Sequence, residues 1–387
     1  MLLTREPPQI YNCALSQIPL ITKSTKEQKA HKVKVLVVAA SLDILGGQAV
    51  QAERLIRRLQ DEPSVQVGFL PINPRLPGVL RKLQSIKYVR TVTTSILYIL
   101  NLLREVRKYD VIHIFSASYL SFLIAPTPAI LVSKLYGKKT LLNYHSGEAE
   151  DHLRRWPRST KSMLKRVDKI VVPSEYLVRV FAKFGYEAVA IFNIIDLDKF
   201  EFRERTTLRP VFLSNRNLEA HYGVDDLLRA FAYIQREIPH AVLTVVGDGS
   251  QRNALENLAV ELHLANTNFT GRVEHDEINR HYSATDIYLN ASKIDNQPLS
   301  ILEAFTCGLP VVTTDAGGIP DIVTDEITGF LVPVGQYESL AARALKLLTH
   351  QEIAPTMTER ARAECTKYTW SVVCPQWLDL YHSVAKK

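Results

Sequence analysis

The chain has 387 residues, too many for one ordinary core, and its length points to about two domains of roughly 150–200 residues. An apolar share of 46 % is that of a soluble globular protein. Four cysteines (Cys13, Cys307, Cys365, Cys374) form no C-x-x-C pair, which argues against a disulfide scaffold or a zinc site and for a reducing compartment.

Charge is distributed unevenly. Of 47 Lys and Arg and 40 Asp and Glu, residues 1–200 hold 30 and 16, and residues 201–387 hold 17 and 24. A half at +14 beside a half at −7 suggests that the first faces something anionic, such as membrane headgroups or a phosphorylated acceptor. A solvated basic surface is the plain alternative. No RNP, zinc-finger or basic-zipper pattern supports a nucleic-acid partner.

Residues 1–30 mix charge, proline and Ser/Thr without period and read as a lead-in, its apolar stretches too broken for a signal peptide. Residues 31–200 form the first predicted domain. It opens with "VKVLVVAAS" (Val33–Ser41), a buried parallel strand, followed by Gly46-Gly47 and a helix spaced through Val50, Leu55 and Leu59. "DVIHIF", "KTLLNYH" and "KIVVPS" each precede a helix-like segment. The uncharged run Val111–Ser133 approaches membrane-spanning length, but His113, Pro126 and Pro128 interrupt it, so strand, loop and buried helix are predicted.

The order restarts in residues 201–365, where "PVFLSN", "AVLTVVGDGS", "DIYLNAS" and "PVVTTDAGG" each lead into a helical pattern. The join falls near Asn193–Pro210. Residues 366–387 place Val373, Trp377, Leu380, Tyr381 and Val384 on helical spacing, a helix expected to pack back on the first domain. The alternation predicts an α/β protein of two facing Rossmann-like, doubly wound parallel-sheet domains, with a ligand cleft between the carboxyl ends of the sheets.

One stretch poses a chemical question. In "KIDNQPLSILEAFTCGLPVV" (Lys293–Val312), Asp295 and Glu303 flank the start of an apolar helix. Ser300 and Glu303 have capping-box spacing and Pro298 suits a first turn, so capping is one reading. The other is that the acids and helix start surround a phosphate-bearing ligand, with free backbone N–H groups facing the phosphates. "NYHSGEAEDHLRRW" groups His145, Glu148, Glu150, Asp151 and His152, but on no established metal-ligand spacing. There is no G-x-G-x-x-G, so an NAD-type oxidoreductase lacks its main fingerprint.

The ordered set of motifs resembles the family-four retaining glycosyltransferases of the GT-B fold across roughly residues 33–385. "YSATDIYLNASKIDNQPLSILEAFTCGLPVVTTDAGGIPDIVTDEITGFLVP" carries most of the likeness, with "VVGDGSQRNAL", "GRVEHDEINRHY", Ser214-Asn215-Arg216, Gly46-Gly47, His145, "VPSEY" and "NIIDLDKF". The resemblance implies that Glu303 accepts both ribose hydroxyls of a nucleotide-diphosphate sugar, and that Pro298, Leu299 and Ser300 meet its diphosphate. It also implies that Arg216 binds the phosphates and that His145 stands by the transferred sugar. Gly46, Gly47, Gly249, Arg272, Val273 and Tyr222 complete the implied binding set. Asp295 replaces the family's first Glu and is one methylene shorter. The family's phosphate-binding Lys is absent; His221 or Tyr222 stands there, and Arg252, Arg272 or a Tyr222 hydrogen bond are the possible substitutes. For His145 a buried structural role is the alternative, and for Gly46-Gly47 a plain turn.

What the resemblance implies is a metal-independent, cofactor-free, retaining hexosyltransferase using a UDP-sugar by preference, with a glycan or lipid-linked acceptor. The Asp196–Asp198 pair is expected to bind no metal. The expected location is cytoplasmic, with peripheral contact at an anionic membrane face through the basic Arg81–Arg90 segment. A catalytically weakened nucleotide-sugar-binding protein and a GT-B-fold sugar-nucleotide epimerase are the alternatives.

Overall fold

The computed structural model describes residues 32–41, 47–76, 86–274 and 277–386. The lead-in, Gly46 and residues 81–85 of the Arg81–Arg90 segment lie outside the described residues. Among these residues the chain builds two six-stranded sheets, parallel throughout. The first contains β1 (Val33–Ala39), β2 (Val65–Pro71), β3 (Val111–Ser116), β4 (Lys139–Tyr144), β5 (Lys169–Val172) and β6 (Ala188–Ala190), in the order β2-β1-β3-β4-β5-β6. The second contains β7 (Val211–Asn215), β8 (Val242–Val246), β9 (Thr267–Gly271), β10 (Ile287–Asn290), β11 (Val311–Thr314) and β12 (Phe330–Val332), in the order β12-β11-β10-β7-β8-β9. Strand order reverses between β1 and β3 and between β7 and β10. Crevices for ligands open at the carboxyl ends of such pairs.

β1 explains why these strands read as unbroken apolar runs. Val33, Val35 and Val37 pack on Leu55, Ile56 and Leu59 of the helix Gly47–Gln60, and on the final helix Trp370–Ala385 through Val373, Trp377 and Tyr381. Leu36 and Val38 point the other way, into a core with Tyr98, Leu102 and Ile130. Both faces are buried, so the alternation of side chains leaves no polar face. Val50, read as part of the helix stripe, instead lines the cleft.

The uncharged run Val111–Ser133 folds as β3 and two short helices, Tyr119–Ile124 and Pro126–Leu135. The expected loop is the first of these helices, and Pro126 opens the second, where its missing N–H costs nothing. No helix among the described residues is long and apolar enough to cross a membrane.

The chain crosses from the first sheet to the second through residues 193–210 and returns after Tyr368. The crossings are tied together where Ile195 N donates to Tyr368 O at 2.9 Å. The returning helix is pinned by His113 of β3, which is buried, stacks on Trp377 and bonds the Tyr381 hydroxyl at 2.8 Å. Burial, with His145 nearby, pulls its pKa down to about 3. In an unfolded chain the imidazole titrates near ~6.5. Between those values only the unfolded state takes up the proton, so stability falls as pH drops below the unfolded value. The loss through His113 between about pH 7 and about pH 5 is roughly 2 kcal/mol. Denaturant unfolding at the two pH values is expected to show this loss, and His113→Asn to remove that part of the acid slope; equal slopes in both proteins would contradict it.

Candidate active site

The carboxyl ends of the two sheets face one cavity of about 630 Å³. The first sheet contributes Gly47 and Gln48 at the start of their helix, Ser116 and Ala117 after β3, and His145 after β4. The second contributes Arg216, Tyr222, Gly247, Arg272, Val273, Asp295, Pro298, Leu299, Ser300 and Glu303. Gly249 is not among the lining residues. A Cβ there would come within 2.4 Å of the Leu218 carbonyl, so its smallness serves backbone packing, while Gly247 and Asp248 reach the cavity wall.

Arg216 is the first residue past β7, at the strand-order reversal. Its Nη2 donates to Asp295, its Nη1 lies 3.2 Å from Ser300 Oγ, and the Tyr222 ring covers it at 4.1 Å. Burial works against its charge most strongly, but Asp295 together with Tyr222, Tyr288 and Tyr282 outweighs it and holds the pKa above the ordinary value. Asp295 also accepts from Ser292 Oγ at 3.2 Å and from the Asn296 N–H at 2.8 Å. The two side chains expected to meet a donor are thus already joined to each other.

Tyr222 is placed by a glycine. Gly223 has φ +63°, and a Cβ there would lie 1.9 Å from the Ala291 carbonyl. Only glycine permits this close approach of the turn to the end of β10. Tyr222 is thereby held as a stacking surface for Arg216. Of the other cations considered, Arg252 is paired with Glu256 at 2.8 Å and does not line the cavity. Arg272 does line it, is exposed, and enters no ion pair among the described residues.

The capping reading is not what the fold contains. The helix Leu299–Thr306 has Pro298 at its N-cap and no side-chain capping bond. Helix formation two residues earlier than a Ser300 cap requires puts Glu303 in the second turn, not the first. There it is buried and accepts from the Tyr282 hydroxyl at 2.9 Å through Oε2. Burial raises its pKa, opposed by Arg54, the Tyr282 bond and Arg216. Ser300 is freed to meet Arg216. At the helix's far end the buried guanidinium of Arg205 binds the Cys307 and Gly308 carbonyls at 2.6 and 3.0 Å, where a helix C-terminus favours a cation.

His145 stacks on Phe115 at 5.1 Å, and burial pulls its pKa down to about 3, so it is neutral at physiological pH. Of the rest of its segment, Glu148 lines the cavity with it, while Glu150, Asp151 and His152 are engaged elsewhere. His152 is buried against Tyr144, Glu150 pairs with Arg154 and Lys183, and Asp151 bonds Tyr119. Asp196 is held by Arg57 and Arg58 at 3.1 and 2.7 Å. No group of three or more His, Cys, Asp or Glu among the described residues is arranged to hold a metal ion.

Three buried side-chain nitrogens on the cavity wall have no hydrogen-bond partner: Arg216 Nε, His145 Nε2 and Gln297 Nε2. Buried polar groups are seldom left so, and all three belong to residues that line this one cavity. Sequence reasoning missed Gln297, Tyr282 and Arg54. Tyr282 opens the longest matching stretch, which was its one signal; Arg54 had none, since its importance comes from a contact across the fold.

Two parallel-sheet domains with a polar cleft at their facing carboxyl ends define a GT-B transferase architecture. Residues 45–199 match the Glycosyltransferase Family 4 model and residues 198–364 the Glycosyl transferases group 1 model. The chain therefore belongs to the family-four glycosyltransferases of the GT-B fold. It is 27% identical over 327 residues to a sulfoquinovosyl transferase of Arabidopsis thaliana, covering 77% of this chain and 62% of that one. It is 27% identical over 245 residues to a GDP-mannose-dependent alpha-(1-6)-phosphatidylinositol monomannoside mannosyltransferase of Mycobacterium tuberculosis, covering 57% of this chain and 64% of the relative. It thus spans less than two thirds of either relative's length. Sucrose-phosphate synthase from Thermosynechococcus elongatus shares the fold at TM-score 0.75 and 19% identity, over 91% of this chain and 99% of that one. Anabaena HepE in complex with UDP-glucose does so at 0.71 and 18%, over 90% and 99%.

Replacing Gly223 by Ala is expected to destabilise the protein by at least about 1–2 kcal/mol, from left-handed strain alone, and to dislodge Tyr222 from Arg216. A larger drop in thermal midpoint in Gly223→Ala than in Gly137→Ala, also left-handed but with open space around it, would separate the carbonyl clash from strain.

Proposed function

We propose that the protein is a metal-independent, retaining glycosyltransferase that moves a hexosyl group from a nucleotide-diphosphate sugar to a glycan or lipid-linked acceptor. The observation that carries this reading is one cavity at the carboxyl ends of both sheets, lined by Arg216, Arg272, the helix start at Leu299 and Ser300, and Glu303. Arg216, Arg272 and the first turn at Leu299 and Ser300 are suited to the diphosphate, and Glu303 to the ribose diol. Tyr222 keeps Arg216 in place by stacking, and Arg272 supplies the second positive charge.

In the proposed reaction the anomeric carbon–phosphate oxygen bond breaks and a bond to the acceptor oxygen forms on the same face. The acceptor's proton passes to the leaving diphosphate oxygen. No side chain is assigned as a covalent nucleophile, since Asp295 is engaged by Arg216 and neutral His145 serves better to orient a hydroxyl. Charge on the leaving group is the main term to be stabilised, and the fixed cations and dipoles do this without reorganising. A UDP-sugar is the preferred donor of the reading; the GDP-mannose-dependent relatives make GDP the alternative to test.

Thermal stabilisation by UDP, GDP, ADP and their sugars, with and without chelator, tests the donor. One nucleotide is expected to give a chelator-insensitive shift, lost in Glu303→Ala and reduced by Arg272→Ala. No shift with any of them would remove the donor reading.

The acceptor side rests on a surface of the first domain. The helix Lys87–Glu105 exposes Val92, Ile96, Ile99 and Leu100 on one face, and the neighbouring Pro126–Leu135 helix exposes Leu131 and Leu135. Arg90, Arg104, Arg107 and Lys134 are exposed alongside. An apolar stripe edged with cations suits an anionic bilayer, and a lipid-linked acceptor would meet the enzyme there. The protein is expected to float with vesicles containing phosphatidylglycerol and not with phosphatidylcholine alone. The double change Ile96→Asp, Leu100→Asp should abolish flotation and leave nucleotide binding intact; equal recovery on both vesicle types would contradict it.

A further inference from the structure

We infer that Arg54 is a positioning residue of the donor site: carried by the first domain, it keeps Glu303 of the second domain as the carboxylate that a ribose diol requires. The inference rests on the assignment of Glu303 to the ribose and adds to it a dependence on the other domain.

Arg54 lies in the helix Gly47–Gln60, whose first residues line the cavity, and is buried. Its Nη1 donates to the Ile194 carbonyl at 2.8 Å, its Nε is 3.6 Å from Asp196, and its Nη2 is 3.9 Å from Glu303 Oε1. One guanidinium thus stands between the segment joining the domains and the donor helix. The two carboxylates are not equally dependent on it. Asp196 already has Arg57 and Arg58 within hydrogen-bond distance. Glu303 pairs with no other cation among the described residues, and Arg216 acts on it from farther away.

The division of labour at Glu303 follows from its two oxygens. Oε2 is committed to the Tyr282 hydroxyl, while Oε1 faces a guanidinium that sits just beyond hydrogen-bond reach. Oε1 can therefore accept ligand hydroxyls while the arginine stabilises its charge through space. The other titratable groups near this carboxyl are Tyr282, Tyr288 and Cys307. Burial pushes all three upward, so they are neutral at physiological pH and add no compensating charge. Burial likewise favours the protonated form of Glu303. A protonated Glu303 would offer the ribose one good acceptor fewer. Since Arg54 also grips Ile194 and Asp196, a shift of the first domain moves the charge that makes the donor site competent.

The test is binding by calorimetry across about pH 5.5 to about pH 9, in two buffers of different ionisation enthalpy, using the nucleotide-diphosphate sugar that stabilises the 387-residue protein, because a free nucleoside diphosphate itself titrates at about pH 6. Wild type is expected to bind with little pH dependence near neutrality and no net proton release. Arg54→Met should approach wild-type affinity at the alkaline end, lose about tenfold for each pH unit below its own Glu303 pKa, and release a proton on binding. Arg54→Lys should restore the wild-type profile, and Glu303→Gln should bind weakly at every pH. A loss in Arg54→Met that is uniform in pH, with no proton release, would show a merely structural clamp. Should that variant fail to fold, proton release by wild type itself near neutral pH would overturn the inference. If wild type binds no nucleotide, the donor assignment fails instead; if it binds through Glu303 and Arg54 leaves the profile unmoved, this inference alone fails.

Discussion

The buried pair of Arg216 and Asp295 is the constraint on which the cavity depends. Desolvating a guanidinium and a carboxylate costs several kcal/mol for each ion and is tolerated only when every remaining donor and acceptor is well met. Here Ser292, the Asn296 N–H, Ser300 and the Tyr222 ring meet most of them. Satisfying this one pair therefore fixes the turn after β10, the first residues of the donor helix and the Tyr222 turn together. The unpaired Nε of Arg216 is what the arrangement leaves for a ligand.

The two halves are joined by a different kind of chemistry. Within each sheet domain, both layers are apolar and close-packed. Between the domains the contacts are mostly polar: Asp196 under its arginines, Asn193 N on Gln297, Ser174 on Asn296, and Arg179 and the Tyr176 N–H on Asp321. Polar interfaces of this kind resemble transient ones, so relative movement of domains is the physical default. Several of these bonds use residues that line the cavity or adjoin it.

Tyr222 gives Arg216 a particular kind of support. An ammonium would add a mobile point charge; an aromatic face adds a fixed platform and little charge. With Lys293 tied to Asp225 and Asp226, and Arg252 to its own helix, positive charge at the cavity is concentrated on Arg216 and Arg272. Fewer cations held more rigidly is a coherent alternative to the commoner arrangement.

The strands were legible in the chain itself, because a parallel strand buried on both faces must be a continuous apolar run, and β1 and β3 are that. So was the ordered set of motifs around Asp295 and Glu303, since chemistry and spacing are local properties. The capping-box spacing of Ser300 and Glu303 misled for an equally physical reason: Pro298 starts the helix earlier, and only the folded backbone decides which residue is the cap. Gly247 and Gly249 look alike in sequence, yet one faces the cavity and the other the Leu218 carbonyl. Arg54, Tyr282 and Gln297 needed tertiary structure most. Periodicity records that a side chain is buried, while the partner it is buried against, often in the other domain, is set only when two distant segments are brought together.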